Sequence, residues 1–157
     1  MRLLHFLKKS AISIRLTATA KDEAIREMVG LLADQLGGAS VQDAVGAVLE
    51  RERLGSTAVG HGVAIPHGKV QGVQHMLSAF AIAPHGIDFD SANGESVNFI
   101  YLLLSPQTCI GLHLQALAKV SRLFRSDAFV SRLNAANSVD EVYKILEEVD
   151  SPPVHIA

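Results

Sequence analysis

The chemically richest part of the chain is the run Gly55-Ser56-Thr57-Ala58-Val59-Gly60-His61-Gly62-Val63-Ala64-Ile65-Pro66-His67-Gly68-Lys69. Its glycines leave the backbone free to turn sharply and to approach a ligand closely. Small residues and hydroxyls fill most of the rest, and a loop of this kind can aim several N–H groups at one anion. Within it, Pro66 restrains the backbone ahead of His67, and Gly68 places no side chain beyond it. An imidazole held this way, open on one side, has the form of a nucleophile. Its ordinary pKa of about 6.5 keeps one ring nitrogen unprotonated near neutral pH. The other nitrogen needs a hydrogen bond to fix the ring, and a backbone carbonyl of the same loop is the expected acceptor.

A histidine that accepts a phosphoryl group also needs donors around the phosphate. Arg51 lies just before the loop with Arg53 close by, and a guanidinium there can grip phosphate oxygens in two-pronged fashion. His113 starts the helix after the most apolar strand, where the positive end of the helix dipole favours an anion. Plainer readings stand beside these. A Gly-rich loop is more often a turn than a site, and a histidine on an amphipathic helix usually packs or caps. Glu50-Arg51-Glu52-Arg53 reads by default as a solvated charged face. His5, His75, His85 and His155 read as surface or loop residues, and His61 is ambiguous.

The elements that must position these residues follow from periodicity and capping. Ile12 to Leu16 alternates like a short strand. Thr19 with Asp22 resembles a capping box and opens a helix to about Leu36, ended by Gly37-Gly38. Ser40 with Asp43 opens a second helix that runs out near Leu54. Met76 to Ile82 reads as a strand, and Pro84 to Gly94 as a loop with a short strand at Ile87 to Phe89. Val97 to Leu104 is apolar on both faces and should be central, with Pro106 ending it. Ile110 to Arg125 reads as a helix with Leu112, Ala116, Leu117, Val120 and Phe124 inward. Ser126 opens another to about Leu133, and Ser138 with Glu141 caps the last. The pattern predicts an α/β fold, a mixed β-sheet flanked by helices on both faces. Residues 1–150 are expected to form one domain, with 151–157 a flexible tail.

Composition bounds the function. Apolar residues make up 48% and charged residues 19% of 157, so the chain reads as globular. Aromatics are only 5% and Trp is absent, which predicts an aliphatic core. A net charge of -2 with no Lys/Arg cluster disfavours nucleic acid. The apolar stretch Leu3 to Leu7 is too short for a signal segment, and no run reaches the roughly 20 residues of a membrane span. The single cysteine, Cys109, suits a reducing compartment. The expected location is the cytoplasm.

Arg51-Glu52-Arg53-Leu54-Gly55-Ser56-Thr57, then Gly60, Gly62 and Ala64-Ile65-Pro66-His67-Gly68-Lys69, resembles the fructose/mannitol-type enzyme IIA of the bacterial phosphotransferase system. Leu112-His113-Leu114 with Leu117, and the segment from Phe129 to Leu146, fit the same family, so the resemblance covers roughly residues 5 to 148. It implies a phosphotransferase component with His67 as acceptor, phosphorylated on its tele nitrogen by an HPr-type phosphocarrier. His113 would sit beside that ring, and Arg51 would neutralise the phosphoryl group. Ser56, Thr57 and Gly68 are expected to contact the phosphate. No cofactor or metal is implied. Within the family the chain looks most like the nitrogen-regulatory branch, whose output comes from partners that distinguish the phosphorylated form. One departure is visible: His61 stands between two glycines where the family pattern has Asn. Three other readings compete. One is a sugar-specific IIA that passes phosphate to a IIB domain. Another is a metal module built on His61, His67 and His113. The last is a ligand-binding module without chemistry.

Overall fold

Between Val97 and Leu104 every residue except Asn98 is buried, so this segment needs strand partners on both edges and cover on both faces. The computed structural model, which describes residues 1–150, supplies both. The segment lies within β6 (Ser96–Ser105), which pairs antiparallel with β5 (Leu77–Asp88) on one edge. On the other edge it pairs parallel with β3 (Val63–Ala64) and β4 (His67–Lys69). β1 (Leu7–Ser13) adds parallel to β5, and β2 (Ala58–Gly60) adds antiparallel to β3. The sheet order is β1-β5-β6-β3-β2, with β4 beside β6. The mixed sheet expected from the sequence is therefore the one adopted.

The helices divide by face. An added Cβ on Gly68 would meet the backbone of α2 (Val41–Arg53), 3.2 Å from Ala47 C and from Val48 N. The α2 helix therefore covers the side toward which Gly68 points, and α1 (Lys21–Gly30) packs against it. Neighbouring residues of a strand point to opposite sides. On the far side Phe80 and Phe99 stack, and both contact Phe124, which follows α3 (Ile110–Leu123). Phe129 of α4 (Asp127–Ala135) meets Phe124 edge-on. The last helix, α5 (Val139–Asp150), is tied to α3 by the Lys119–Asp150 ion pair at 2.6 Å. An aliphatic core thus carries one aromatic cluster, on the α3 side only.

Local signals held where a side chain had a free amide to accept. Ser40 Oγ accepts from the Asp43 amide, Ser126 Oγ from Phe129, and Ser138 Oγ from Glu141. The Thr19 box does not form: α1 starts at Lys21 with Ala20 as an extended N-cap and no side-chain cap. Ala20 is held by a bridge to Asp88, and this pairing sets where the helix begins. The helix also stops at Gly30, and a 3-10 turn over Ala33–Gln35 replaces its expected end. The first strand spans Leu7–Ser13 rather than Ile12 to Leu16, although the Leu16 amide still donates to the Ile82 carbonyl. Pro84 lies in a strand after all. The β5–β6 register shifts between Ile82 and Ile87, and this bulge accommodates a residue with no N–H. Asn98 Nδ2 donates to the Ala83 carbonyl freed there. On α3, Leu112 and Leu117 are only half-buried, while His113 takes an inward position. The expected tail, 151–157, and with it His155, lies outside the described residues.

Candidate functional site

The short strand β4 decides where His67 points. His67 is in register with Leu103 and Lys69 with Ser105, so these four share the face that carries α3. Gly68, in register with Leu104, points the other way, into α2. Alternation along three residues thus presents His67 to His113, which lies in the first turns of α3. The two rings meet edge to face, with centroids 5.2 Å apart and planes at 65°.

Each ring is fixed through its Nδ1. In His67 this atom lies 2.8 Å from the Ile65 carbonyl. A carbonyl only accepts, so Nδ1 carries the proton and Nε2 holds the lone pair. In His113, Nδ1 lies 2.6 Å from Ser105 Oγ, a fully buried hydroxyl near the end of β6. His113 is 5% exposed, whereas His67 is half-buried and reachable from solvent.

Both rings are biased toward the neutral form. Burial lowers the His67 pKa, the Ile65 hydrogen bond opposes this, Arg51 lowers it further and Glu52 opposes; the net shift is downward. Burial, followed by the charges of His67 and Lys69, pushes His113 down to about 4. Arg51 lies near enough for its charge to act on His67, and its Nη1 donates to the Gly55 carbonyl at 2.9 Å.

The structure brings His67, His113 and Arg51 together. It gives the other three expected residues internal partners. Ser56 Oγ donates to the Phe89 carbonyl at 2.5 Å and accepts from the Ala58 amide. The Thr57 hydroxyl bonds to the Glu52 carboxylate, and the Thr57 amide donates to the same group at 3.3 Å. Gly68 is a packing position against α2. These residues shape the loop, and neither hydroxyl is left free. Two residues escaped the sequence reading. Ser105 carried no signal beyond its place at a strand end. Glu52 sat within an alternating charged run that reads as solvated, yet it is 7% exposed.

His61 occupies a turn. It and Gly62 form the two-residue link between β2 and β3, with φ of +57° and +75°. Positive φ at both positions is the hairpin turn that favours Asn-Gly, which explains why Asn was expected there. His61 is exposed on the hairpin tip. Leu54, which follows α2, is 84% exposed, and Ile110 and Leu114, on the same helix as His113, are 56% and 60% exposed. Among the described residues, no group of three or more His, Cys, Asp or Glu side chains could hold a metal ion, and no helix is long and apolar enough to cross a membrane.

A mixed α/β sheet that sets two fixed imidazoles edge to face beside an arginine has the architecture of a phosphotransferase-system IIA domain. The chain belongs to that family: the model for the phosphoenolpyruvate-dependent sugar phosphotransferase system, EIIA 2, matches residues 5–149. It is 35% identical over 146 residues to a nitrogen regulatory protein of Bradyrhizobium diazoefficiens, covering 93% of this chain and 95% of that one. The crystal structure of nitrogen regulatory protein IIA-Ntr from Neisseria meningitidis superposes with a TM-score of 0.85 at 33% identity, covering 90% of this chain and 97% of the other. The crystal structure of IIA mannitol from Escherichia coli gives 0.76 at 25% identity, covering 88% and 97%.

Proposed function

We propose that this chain is a cytoplasmic phosphocarrier of one domain, residues 1–150, that accepts a phosphoryl group on His67 from an HPr-type protein. The observation that carries this reading is the Nδ1–Ile65 hydrogen bond, which leaves the His67 Nε2 lone pair free on an accessible ring. In the transfer, Nε2 attacks phosphorus, an N–P bond forms, and the bond from phosphorus to the donor's ring nitrogen breaks with its electron pair returning to the donor. Nδ1 keeps its proton and its carbonyl partner throughout. Arg51 offsets the charge of the incoming phosphoryl group. His113, whose Nδ1 is engaged by Ser105, offers Nε2 beside the acceptor, and the first turn of α3 adds free N–H groups and the positive end of its dipole. Ser56, Thr57 and Gly68 set the loop rather than touch phosphate. Leu54, Ile110 and Leu114 offer apolar surface on which a carrier protein can dock.

We read the output as regulatory, through proteins that bind one phosphorylation state. The nitrogen regulatory relatives, matched over nearly their full length, support this. The likeness to IIA mannitol supports the second reading, a sugar-specific component that passes phosphate to a IIB domain. The test is incubation with phosphoenolpyruvate, enzyme I and the HPr-type carrier. An acid-labile phosphoryl mass increment should appear in the native chain and vanish in His67→Ala. A charged carrier that leaves the chain unmodified sinks the proposal. Transfer onward to a purified IIB domain selects the sugar-specific reading.

A further inference from the structure

Glu52 stands in a charged run, yet its carboxylate is buried and fully occupied. Lys21 Nζ approaches it to 2.7 Å, and Thr57 bonds to it through both hydroxyl and amide. From there an unbroken chain of hydrogen bonds reaches the acceptor ring. The Thr57 carbonyl accepts from the Ile65 amide at 3.0 Å, and the Ile65 carbonyl accepts from His67 Nδ1 at 2.8 Å. A second branch starts at the same residue. The Glu52 carbonyl accepts from the Gly55 amide at 3.1 Å, and the Gly55 carbonyl holds Arg51 Nη1 at 2.9 Å. The loop between the branches is pinned from outside by Ser56 on Phe89.

We propose that Glu52 is a positioning residue of the phosphoryl site: anchored by Lys21, it sets at once the tautomer-fixing carbonyl of Ile65 and the reach of Arg51. This rests on the reading of His67 as acceptor. Glu52 touches neither the ring nor the incoming group. It acts through Thr57, Ile65 and Gly55, all within one rigid loop. A buried carboxylate with an amide, a hydroxyl and an ammonium around it is costly to disturb, so the geometry it imposes is stiff. Its charge also opposes those of Arg51 and burial at His67, which is faced by His113 as well.

Two variants of the full chain test this, Glu52→Gln and Thr57→Val, with His67→Ala as reference. Two readouts are needed: the kinetics of phosphoryl acceptance from the charged HPr-type carrier, and the ring nitrogen shifts of His67 by NMR. For Glu52→Gln we expect kcat to fall about tenfold to a hundredfold, because small displacements of reacting groups carry penalties of that size. KM for the carrier should stay within about twofold. The share of His67 with its proton on Nδ1 should drop, and its titration midpoint should move down. Thr57→Val should move both readouts the same way by less. Wild-type kcat with an unchanged tautomer in either folded variant overturns the proposal, as does a rise in KM alone. If Glu52→Gln does not fold, Thr57→Val decides. The tautomer readout does not depend on phosphate, so it separates failure of this inference from failure of the acceptor reading, which His67→Ala reports.

Discussion

His67 and His113 lie edge to face in partial burial, and the charge of His67 disfavours a proton on His113. For a phosphoryl acceptor this matters because a protonated Nε2 has no lone pair. Burial and Arg51 hold the His67 pKa below the ordinary 6.5, so the neutral ring persists below that pH. Acceptance should therefore stay level as pH falls through 6.5 and decline only once pH reaches the lowered value. Replacing Arg51 with Gln removes a cation from beside the ring, so the His67 midpoint should rise while phosphoryl transfer slows. Proton NMR titration of the ring, read beside single-turnover kinetics, checks both. A midpoint that falls, or stays put, contradicts the placement of Arg51. His67, the proposed acceptor, stood out in the sequence through its flanking Pro66 and Gly68 and through the family motif around them. Ser105 was not, since its partner His113 is eight residues away and only the packing of α3 on β6 joins them.

The element that matters most is β4, three residues that put His67 on the α3 side and Gly68 on the α2 side. Gly68 has ordinary backbone geometry, so its constraint is close approach and not positive φ. Gly68→Ala places a methyl 3.2 Å from two backbone atoms of α2, which has no flexible side chain there to yield. A loss of about 1–3 kcal/mol is expected from such overpacking. Urea denaturation followed by circular dichroism would measure it, and an unchanged midpoint would mean that α2 can move away. Caps at Ser40, Ser126 and Ser138 were visible locally because each satisfies its own helix. The Thr19 cap failed because the Ala20–Asp88 bridge, a contact 68 positions apart, set the start of α1. Pro84 misled for a similar reason, since only the β5–β6 pairing reveals the bulge that tolerates it.

At the scale of the molecule, Asp150 closes the fold. Its carboxylate accepts from the Leu3 amide at 2.8 Å and the Leu4 amide at 3.0 Å, and it pairs with Lys119. Burial alone would raise its pKa, but the Leu4, Lys119 and Leu3 bonds outweigh it and leave the value below the ordinary 3.8. Its contribution is complete above the unfolded-state pKa and is lost as pH falls through the lowered folded value. The histidines act in the same direction at higher pH: His113 at about 4 against 6.5 adds stability above 6.5 that drains as pH drops toward 4. Asp150→Ala should cost roughly 3 kcal/mol or more by leaving two amides and an ammonium without their partner, and should blunt the most acidic part of the unfolding curve. Acid titration of the native chain and the variant, side by side, checks this. By itself the sequence determined the class of fold, the central place of Val97–Leu104, three caps and the loop that carries His67, because periodicity, capping and a proline-flanked histidine act within a few residues. Only the tertiary structure decided that Glu52 is buried, that Ser56 and Thr57 face inward, and that Ser105 orients His113. Those outcomes depend on which distant groups meet, and a charged or hydroxyl side chain looks the same in sequence whether it is solvated or paired.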